Sequence, residues 1–559
     1  MNRSRTRRHA ALAAAGAVAV ALAGCAQSER GQGTGSDGPG GGGDGGGGGG
    51  TFVFAASAEP VTLDPFYASD GESFRVARQM FEGLVGTVPG TADPAPLLAT
   101  DWTTSEDGLS YTFTLADGVK FHDGTPFNAE AVCFNFDRWY NTPEGPAQSP
   151  DRSYYYQTLF RGFATGDLAE AAIYDSCETN GDSEVTINLK EPFAGFVPAM
   201  SLPAFSMQSP TAIEKYKADQ GDPRTSAYAT AHPTGTGPFT FDSWQRGDRL
   251  TLRAYDDYWG EQKPSIDSAV VVAIAEPQAR ATALQNGDID GFDLVGPADI
   301  EPLKEAGLTI VNRPAFNILY LGMNQNQEPL DDIRVRKAIA HAIDKQAVVN
   351  ASLPEGTTIA TQFMPDLVNG FNPNVPTYEH DPDRARQLLQ QAGAENLTLD
   401  FNYPTDVSRP YMPSPEDTFN AIRSQLEEVG ITIRPVADRW DPDYLERIQG
   451  TKDHGIHLLG WTGDYNDTDN FLGVFFGQYT DEWGFRNEKI FDALSKARGL
   501  PTPEEQQPLY EDISREVMEF LPGVPIAHPV PSLAFAPEVE GYQASPVQDE
   551  VWNTVTIQE

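Results

Sequence analysis

The pattern of apolar and polar positions changes period several times along the chain. Arg3, Arg5, Arg7 and Arg8 precede an apolar run from Ala10 to Ala23 that only Gly16 interrupts. The run is shorter than the roughly 20 residues of a spanning helix, and its charge layout predicts a signal peptide. Thr51-Phe52-Val53-Phe54-Ala55 predicts a strand, broken afterwards by Pro60, Asp64 and Pro65. Tyr111-Thr112-Phe113-Thr114-Leu115 alternates as a half-buried strand does. Ala116-Asp117-Gly118 supplies a turn there and Val119-Lys120-Phe121 a return strand. Farther on, capping residues placed before proline mark helix starts. Asp381-Pro382 opens a helix that Gly393 ends, and Thr502-Pro503 opens another. Ser414-Pro415 begins one that Gly430 ends, before the strand Ile431-Thr432-Ile433. Asp331 or Asp332 caps a helix expected from Ile333 to about Val349, with Val335, Ile339, Ala342 and Ile343 on one face. Helices and strands alternate without a detectable repeat, so the fold class is α/β or mixed α+β.

Length and charge narrow the function. A chain of 559 residues suggests two to four domains, and 40% hydrophobic residues exclude disorder of the whole chain. A formal charge of −41 repels phosphate backbones and anionic headgroups, which excludes nucleic acid and electrostatic membrane binding. Leu22-Ala23-Gly24-Cys25 resembles the lipobox of bacterial lipoproteins, in which the cysteine is acylated and becomes the mature N-terminus. Residues 1–24 are therefore expected to be a lipoprotein signal peptide and Cys25 the lipidation site. The body is expected at the outer face of a cell membrane, attached through the lipid alone. Arg7-Arg8 would suit twin-arginine export, but the surrounding residues fit that signal poorly. From Gly31 to Gly50, 14 of 20 residues are glycine, too few side chains to offset the entropy of ordering. Residues 25–50 are thus expected to be a tether with a reach of about 25–30 Å.

Cysteine usage agrees with export. Besides Cys25 there are only Cys133 and Cys177. One disulfide between them or two buried thiols are the two readings, and an oxidising compartment favours the first. No histidine lies near enough in sequence for a zinc site. Catalytic signatures are missing too: there is no Gly-x-Ser-x-Gly elbow, no His-Glu-x-x-His, and no Cys paired with a base. A secreted hydrolase working through an unmarked carboxylate pair is one alternative, and a signalling or adhesion lipoprotein another.

From Thr51 to the C-terminus the order of motifs resembles one family, the extracytoplasmic solute-binding proteins of peptide ABC importers (family 5), and within it the dipeptide-binding branch. The resemblance rests on Glu59-Pro60-Val61-Thr62-Leu63-Asp64-Pro65 and on Phe121-His122-Asp123-Gly124-Thr125-Pro126-Phe127 within the block Trp102 to Val132. It continues through Gly235-Thr236-Gly237-Pro238-Phe239, Tyr258-Trp259, Gly287-Asp288-Ile289-Asp290 and Arg334-Val335-Arg336-Lys337-Ala338-Ile339, and closes with Gly460-Trp461-Thr462-Gly463-Asp464. It implies a two-lobed clamp with a subdomain on the first lobe: lobe one at 51–314 and 528–559, lobe two at 315–527. The crossings are expected near Pro314 and Val524-Pro525. It also implies a monomer without enzymatic activity or cofactor, which hands a small peptide to permease subunits in the membrane.

A dipeptide brings an ammonium, a carboxylate and a peptide group, and each charge needs a partner when buried. By resemblance Asp464 holds the ammonium. Arg409 of Arg409-Pro410-Tyr411 pairs with the carboxylate, for which a planar guanidinium is suited. The edge around Gly460, Trp461 and Thr462, with Ala56–Ala58 opposite, would bond the ligand backbone as an added strand. Tyr411, Trp440 and Trp461 would line side-chain pockets. Asp467 and Asp469 are expected to cap the following helix. His454 and His457 would share a helix face, without a third ligand for a metal. The resemblance leaves open longer peptides, nickel complexes, haem or oligosaccharides as the solute.

Overall fold

A computed structural model describes residues 49–558. The cationic start, the apolar run, Cys25 and the glycine tract as far as residue 48 lie outside the described residues. The architecture is mixed α/β, with two lobes each built on its own sheet. Thr51–Ala56 is a strand whose apolar side chains are buried on both faces, and it runs parallel to Ser268–Ala273 near the middle of a seven-stranded sheet. Across that sheet the order is Thr309–Asn312, Ser532–Phe535, Gly291–Asp293, Thr51–Ala56, Ser268–Ala273, Arg249–Ala254, Phe239–Gln245. A six-stranded sheet forms the second lobe, in the order Thr358–Ile359, Gly523–His528, Asn317–Met323, Ile456–Thr462, Thr398–Thr405, Thr432–Arg439. A third, four-stranded sheet belongs to the first lobe's subdomain, whose core is unusually aromatic: Phe66, Phe136, Trp139, Tyr156, Phe160, Phe196 and Phe205 pack against one another.

The chain passes from the first sheet to the second between Asn312 and Asn317 and returns between His528 and Ser532. Val524-Pro525 lies inside the strand Gly523–His528, opposite Leu321 and Tyr320, so the return crossing is Pro529-Val530-Pro531 rather than the expected dipeptide. The two crossings are tied together: the Arg313 amide donates to the Pro531 carbonyl, and Ser532 Oγ to Asn312 Oδ1 at 2.8 Å. Arg313 is buried and bonds Asp293 and Glu550, both at 2.5 Å. Burial alone would raise the Asp293 carboxyl, yet Arg313 and Arg75 together hold it well below the usual carboxylate range.

Local rules account for most elements. Asp381 caps Pro382–Ala392, which Gly393 ends in the left-handed conformation, and Thr502 caps Pro503–Phe520. Two expectations fail for tertiary reasons. Ser110–Leu115 is flanked on both sides, by Ala99–Thr104 and Glu184–Leu189, leaving 119–121 no edge to join; Lys120 only bridges Pro126. The helix expected from Ile333 to Val349 is two helices, Ile333–Ala342 and Lys345–Ser352. Asp344 breaks it, because its carboxylate caps the second helix at the Ala347 amide while its own amide bonds Gln425.

Cys133, on the helix Ala129–Tyr140, and Cys177, on the strand Tyr174–Thr179, form a disulfide with Cα atoms 5.3 Å apart. The Phe121–Phe127 and Gly235–Phe239 motifs turn out to serve the same joint. The His122 amide donates to the Gly235 carbonyl and His122 Nε2 bonds the Gly237 carbonyl at 2.9 Å. Beside them Glu82, buried, accepts hydrogen bonds from Thr236 Oγ1, Tyr258 Oη and Trp259 Nε1, each at 2.7 Å, with no cation in ion-pairing distance among the described residues.

That carboxyl yields a stability prediction. Burial pushes Glu82 up to about 7, against the lowering effect of its three donors. A folded value above the unfolded one means that its stabilising contribution is complete below the unfolded value and is lost as pH rises through 7. Between pH 5 and 8 the unfolding free energy of Glu82→Gln should therefore gain on the natural protein by about 2–3 kcal/mol. Urea denaturation at both pH values measures this, and a difference independent of pH would contradict it.

Candidate functional site

The strand Ile456–Thr462 runs through the second lobe's sheet and ends at the cleft. It pairs antiparallel with Asn317–Met323 along its whole length. On its other side it meets Thr398–Thr405 only at Phe401–Ile456 and Asn402–His457. From Leu459 to Thr462 that edge has no strand partner among the described residues, so a guest chain can pair with it. Opposite, the Ser57 amide is already taken by Glu72 Oε1 at 3.1 Å, so the expected counterpart edge at Ala56–Ala58 is not free.

Two glycines let this strand end come close to its neighbours. A Cβ at Gly460 would run into the Tyr411 ring and the Ile318 carbonyl, and one at Gly463 into Phe316 and Phe471. The turn Arg409–Met412 is closed by reciprocal backbone bonds of 3.1 and 2.9 Å. It turns Tyr411 inward against Gly460, where burial pushes its hydroxyl up to about 12. Arg409 is left half-buried with its guanidinium over Trp440, 4.2 Å from the ring centroid. Among the described residues no carboxylate pairs with it. Its Nε, together with Trp461 Nε1 and Thr462 Oγ1, is a buried polar atom without a partner. Such orphans are rare in folded proteins and cost free energy until something bonds them. Three of them gather around this one strand end.

Asp464 begins the loop after that strand. Its amide donates to Asn470 Oδ1 at 2.8 Å and its Oδ2 accepts from Asn470 Nδ2 at 3.2 Å. Its Oδ1 accepts the Tyr155 hydroxyl at 2.9 Å, from the subdomain helix Tyr154–Phe160 across the cleft. No cation reaches ion-pairing distance among the described residues. Burial pushes the carboxyl up to about 6, opposed by the bonds from Asn470 and Tyr155 and by the Arg78 charge. Asp464 and Trp461 line an inter-lobe cavity of about 560 Å³ together with Tyr154, Tyr155, Gln157, Asn470, Val474 and Arg498. Arg409, Tyr411, Trp440, Gly460 and Thr462 are not in that lining. Asp464 thus lines the cavity, whereas Arg409 lies outside its lining, beyond the strand end.

Asp467 caps the short turn Thr468–Asn470 as expected, whereas Asp469 pairs with Arg498 at 3.1 Å. His454 and His457 do not share a helix. His457 lies within the strand and His454 just before it, both buried, with His457 Nε2 3.4 Å from Glu482 Oε1. Among the described residues no cluster of three His, Cys, Asp or Glu side chains could hold a metal. Tyr155, Asn470 and Arg498 went unnoticed in the sequence. The run Tyr154-Tyr155-Tyr156 was their only local signal, and its partners lie some 310 residues away.

Known proteins align with this geometry over nearly the whole chain. The family model for bacterial extracellular solute-binding proteins, family 5, matches residues 93–483. The dipeptide-binding protein of Escherichia coli K12 is 30% identical over 524 residues, covering 90% of this chain and 94% of that one. Heme-binding protein A of Haemophilus influenzae is also 30% identical, covering 90% of this chain and 92% of its own length. Among solved structures, the dipeptide-binding protein from Pseudoalteromonas sp. SM9913 in complex with Met-Leu superposes with a TM-score of 0.78 at 25% identity, covering 91% of this chain and all of that one. The periplasmic binding protein DppA from Helicobacter pylori, in complex with peptide STSA, gives 0.76 at 26% identity, covering 92% and 99%. The described residues contain no helix long and apolar enough to cross a membrane. With its cleft, its two lobes and this coverage, the chain belongs to the bacterial extracellular solute-binding proteins of family 5.

Proposed function

We propose that this protein captures dipeptides and other short peptides between its lobes and delivers them intact to the permease of an ABC importer. The reading assigns lobe one to 51–312 and 532–558 and lobe two to 317–528, closing about the crossings at 313–316 and 529–531. The observation that supports it is that Asp464 lines the inter-lobe cavity and Arg409 stands over Trp440, each without an opposite charge in ion-pairing distance among the described residues, near the strand edge 459–462 that has no strand partner there. Asp464 takes the ligand ammonium and Arg409 the carboxylate. Gly460, Trp461 and Thr462 take the backbone, and Tyr411 and Trp440 bound the side chains. The dipeptide-binding relative and the Met-Leu complex support this choice over haem, which the equally similar haem-binding relative is named for. A haem brings carboxylates but no ammonium, so it would leave Asp464 without a partner. Acylation of Cys25 would hold the protein at the outer face of the cell membrane, with residues 25–50 as its tether and the monomer as the working unit.

Three outcomes follow. Asp464→Asn and Arg409→Met should each weaken Met-Leu binding by about 2–4 kcal/mol while leaving the melting temperature nearly unchanged. Calorimetry with recovery of intact Met-Leu checks this; equal affinity in both variants, or hydrolysed peptide, would refute the assignment. Binding should also release a proton near pH 6, since an ammonium needs the ionised Asp464 and the empty site holds that carboxyl at about 6. Affinity should be flat above pH 7 and fall by up to about tenfold per pH unit below 6. Titrations in two buffers of different ionisation enthalpy measure the proton release, which Asp464→Asn should abolish. Finally, the intact mass of protein extracted from membranes should include a diacylglyceryl group that Cys25→Ala removes; an unmodified mass would exclude the anchor.

A further inference from the structure

The helix Tyr154–Phe160 is held from across the cleft at both ends. At its first turn Tyr155 reaches Asp464. At its last turn, four carbonyls lack partners within the helix itself. The Gln157 carbonyl is taken by the Arg161 amide and that of Phe160 by the Ile173 amide. The remaining two, of Thr158 and Leu159, accept from Arg498 Nη2 at 3.2 and 2.9 Å. Arg498 ends the second-lobe helix Glu488–Arg498 and packs its guanidinium 5.1 Å from the Phe193 ring of the first lobe. Its Nη1 is fixed by Asp469 Oδ2 at 3.1 Å, in the same loop whose Asn470 holds Asp464. A cation at a helix C-terminus is also favoured by the helix dipole.

We infer that Arg498 is a cross-cleft positioning residue, which keeps the lobes together by bonding the Thr158 and Leu159 carbonyls and so sets how long a guest is retained. The guest part of this statement rests on the proposed function; the lobe contact does not. Arg498 lines the same cavity as Asp464, so the competing role is direct contact with a guest carboxylate. Against that role, both terminal nitrogens already have acceptors on the protein and only the buried Nε lacks one, whereas among the described residues no nitrogen of the Arg409 side chain has an acceptor. Opening the cleft must break the bonds to Thr158 and Leu159, whether or not a ligand is present.

Arg498→Met and Arg498→Lys test it in the purified protein by two measurements. Small-angle scattering without ligand should give a larger radius of gyration for Arg498→Met and an intermediate one for Arg498→Lys. Stopped-flow release of Met-Leu should quicken about tenfold or more in Arg498→Met, with the association rate changed less than about twofold. Met-Leu amide, which lacks the carboxylate, should show the same proportional loss as Met-Leu. A loss confined to the carboxylate form would replace the latch by direct ligand contact. A folded Arg498→Met with natural scattering and release would end the inference. Should Arg498→Met fail to fold, Asp469→Asn removes the anchor instead, and natural scattering and release in that variant would be equally fatal. A natural protein that ignores Met-Leu overturns the proposed function alone, since the ligand-free scattering still decides the latch.

Discussion

Leaving a partly buried charge without its opposite costs free energy in a folded protein, and among the described residues Asp464 at the inter-lobe cavity and Arg409 over the Trp440 ring are both in that position. Asp464 is steadied by neutral donors, Tyr155 and Asn470, which hold the carboxylate without neutralising it. Arg409 leans on the face of Trp440, which orients a guanidinium without occupying its donors. Burial raises the Asp464 carboxyl, and the bonds from Asn470 and Tyr155 with the Arg78 charge only partly oppose it.

The scaffold's task is to present these groups at a fixed separation. The strand Ile456–Thr462 does so because the buried Asn317–Met323 strand pins it along one edge while the other edge is released past His457. Gly460 and Gly463 are required by close approach, since side chains there would displace Tyr411 and Phe316. Motifs that look functional in a linear reading prove architectural. His122 and Thr236 join the subdomain to the first lobe around the buried Glu82, far in role from any ligand. The buried ion pairs of Arg313 with Asp293 and Glu550 tie one crossing to the first lobe.

The cross-cleft bonds have a further consequence for how affinity and release are divided. Asp464 and Arg409 would recognise the guest, whereas Arg498 spends its donors on helix carbonyls of the other lobe. On the proposed reading, recognition and retention would fall to different residues. The loop from Asp464 to Asn470 links them mechanically, since Asp469 anchors one and Asn470 the other.

The sequence by itself determined the local signals: the capped helices at Asp381 and Thr502 and the strand Thr51–Ala56. Those features depend on neighbours within a few residues, where capping, proline and periodicity act. Tertiary structure decided everything that depends on a distant partner. It left 119–121 without a sheet edge, split the helix at Asp344, and moved the return crossing to Pro529–Pro531. It also put Tyr155 on Asp464 and Arg498 on the carbonyls of Thr158 and Leu159, contacts between residues more than 300 positions apart. No short-range pattern encodes such a meeting, because it follows from how two separately built sheets face each other.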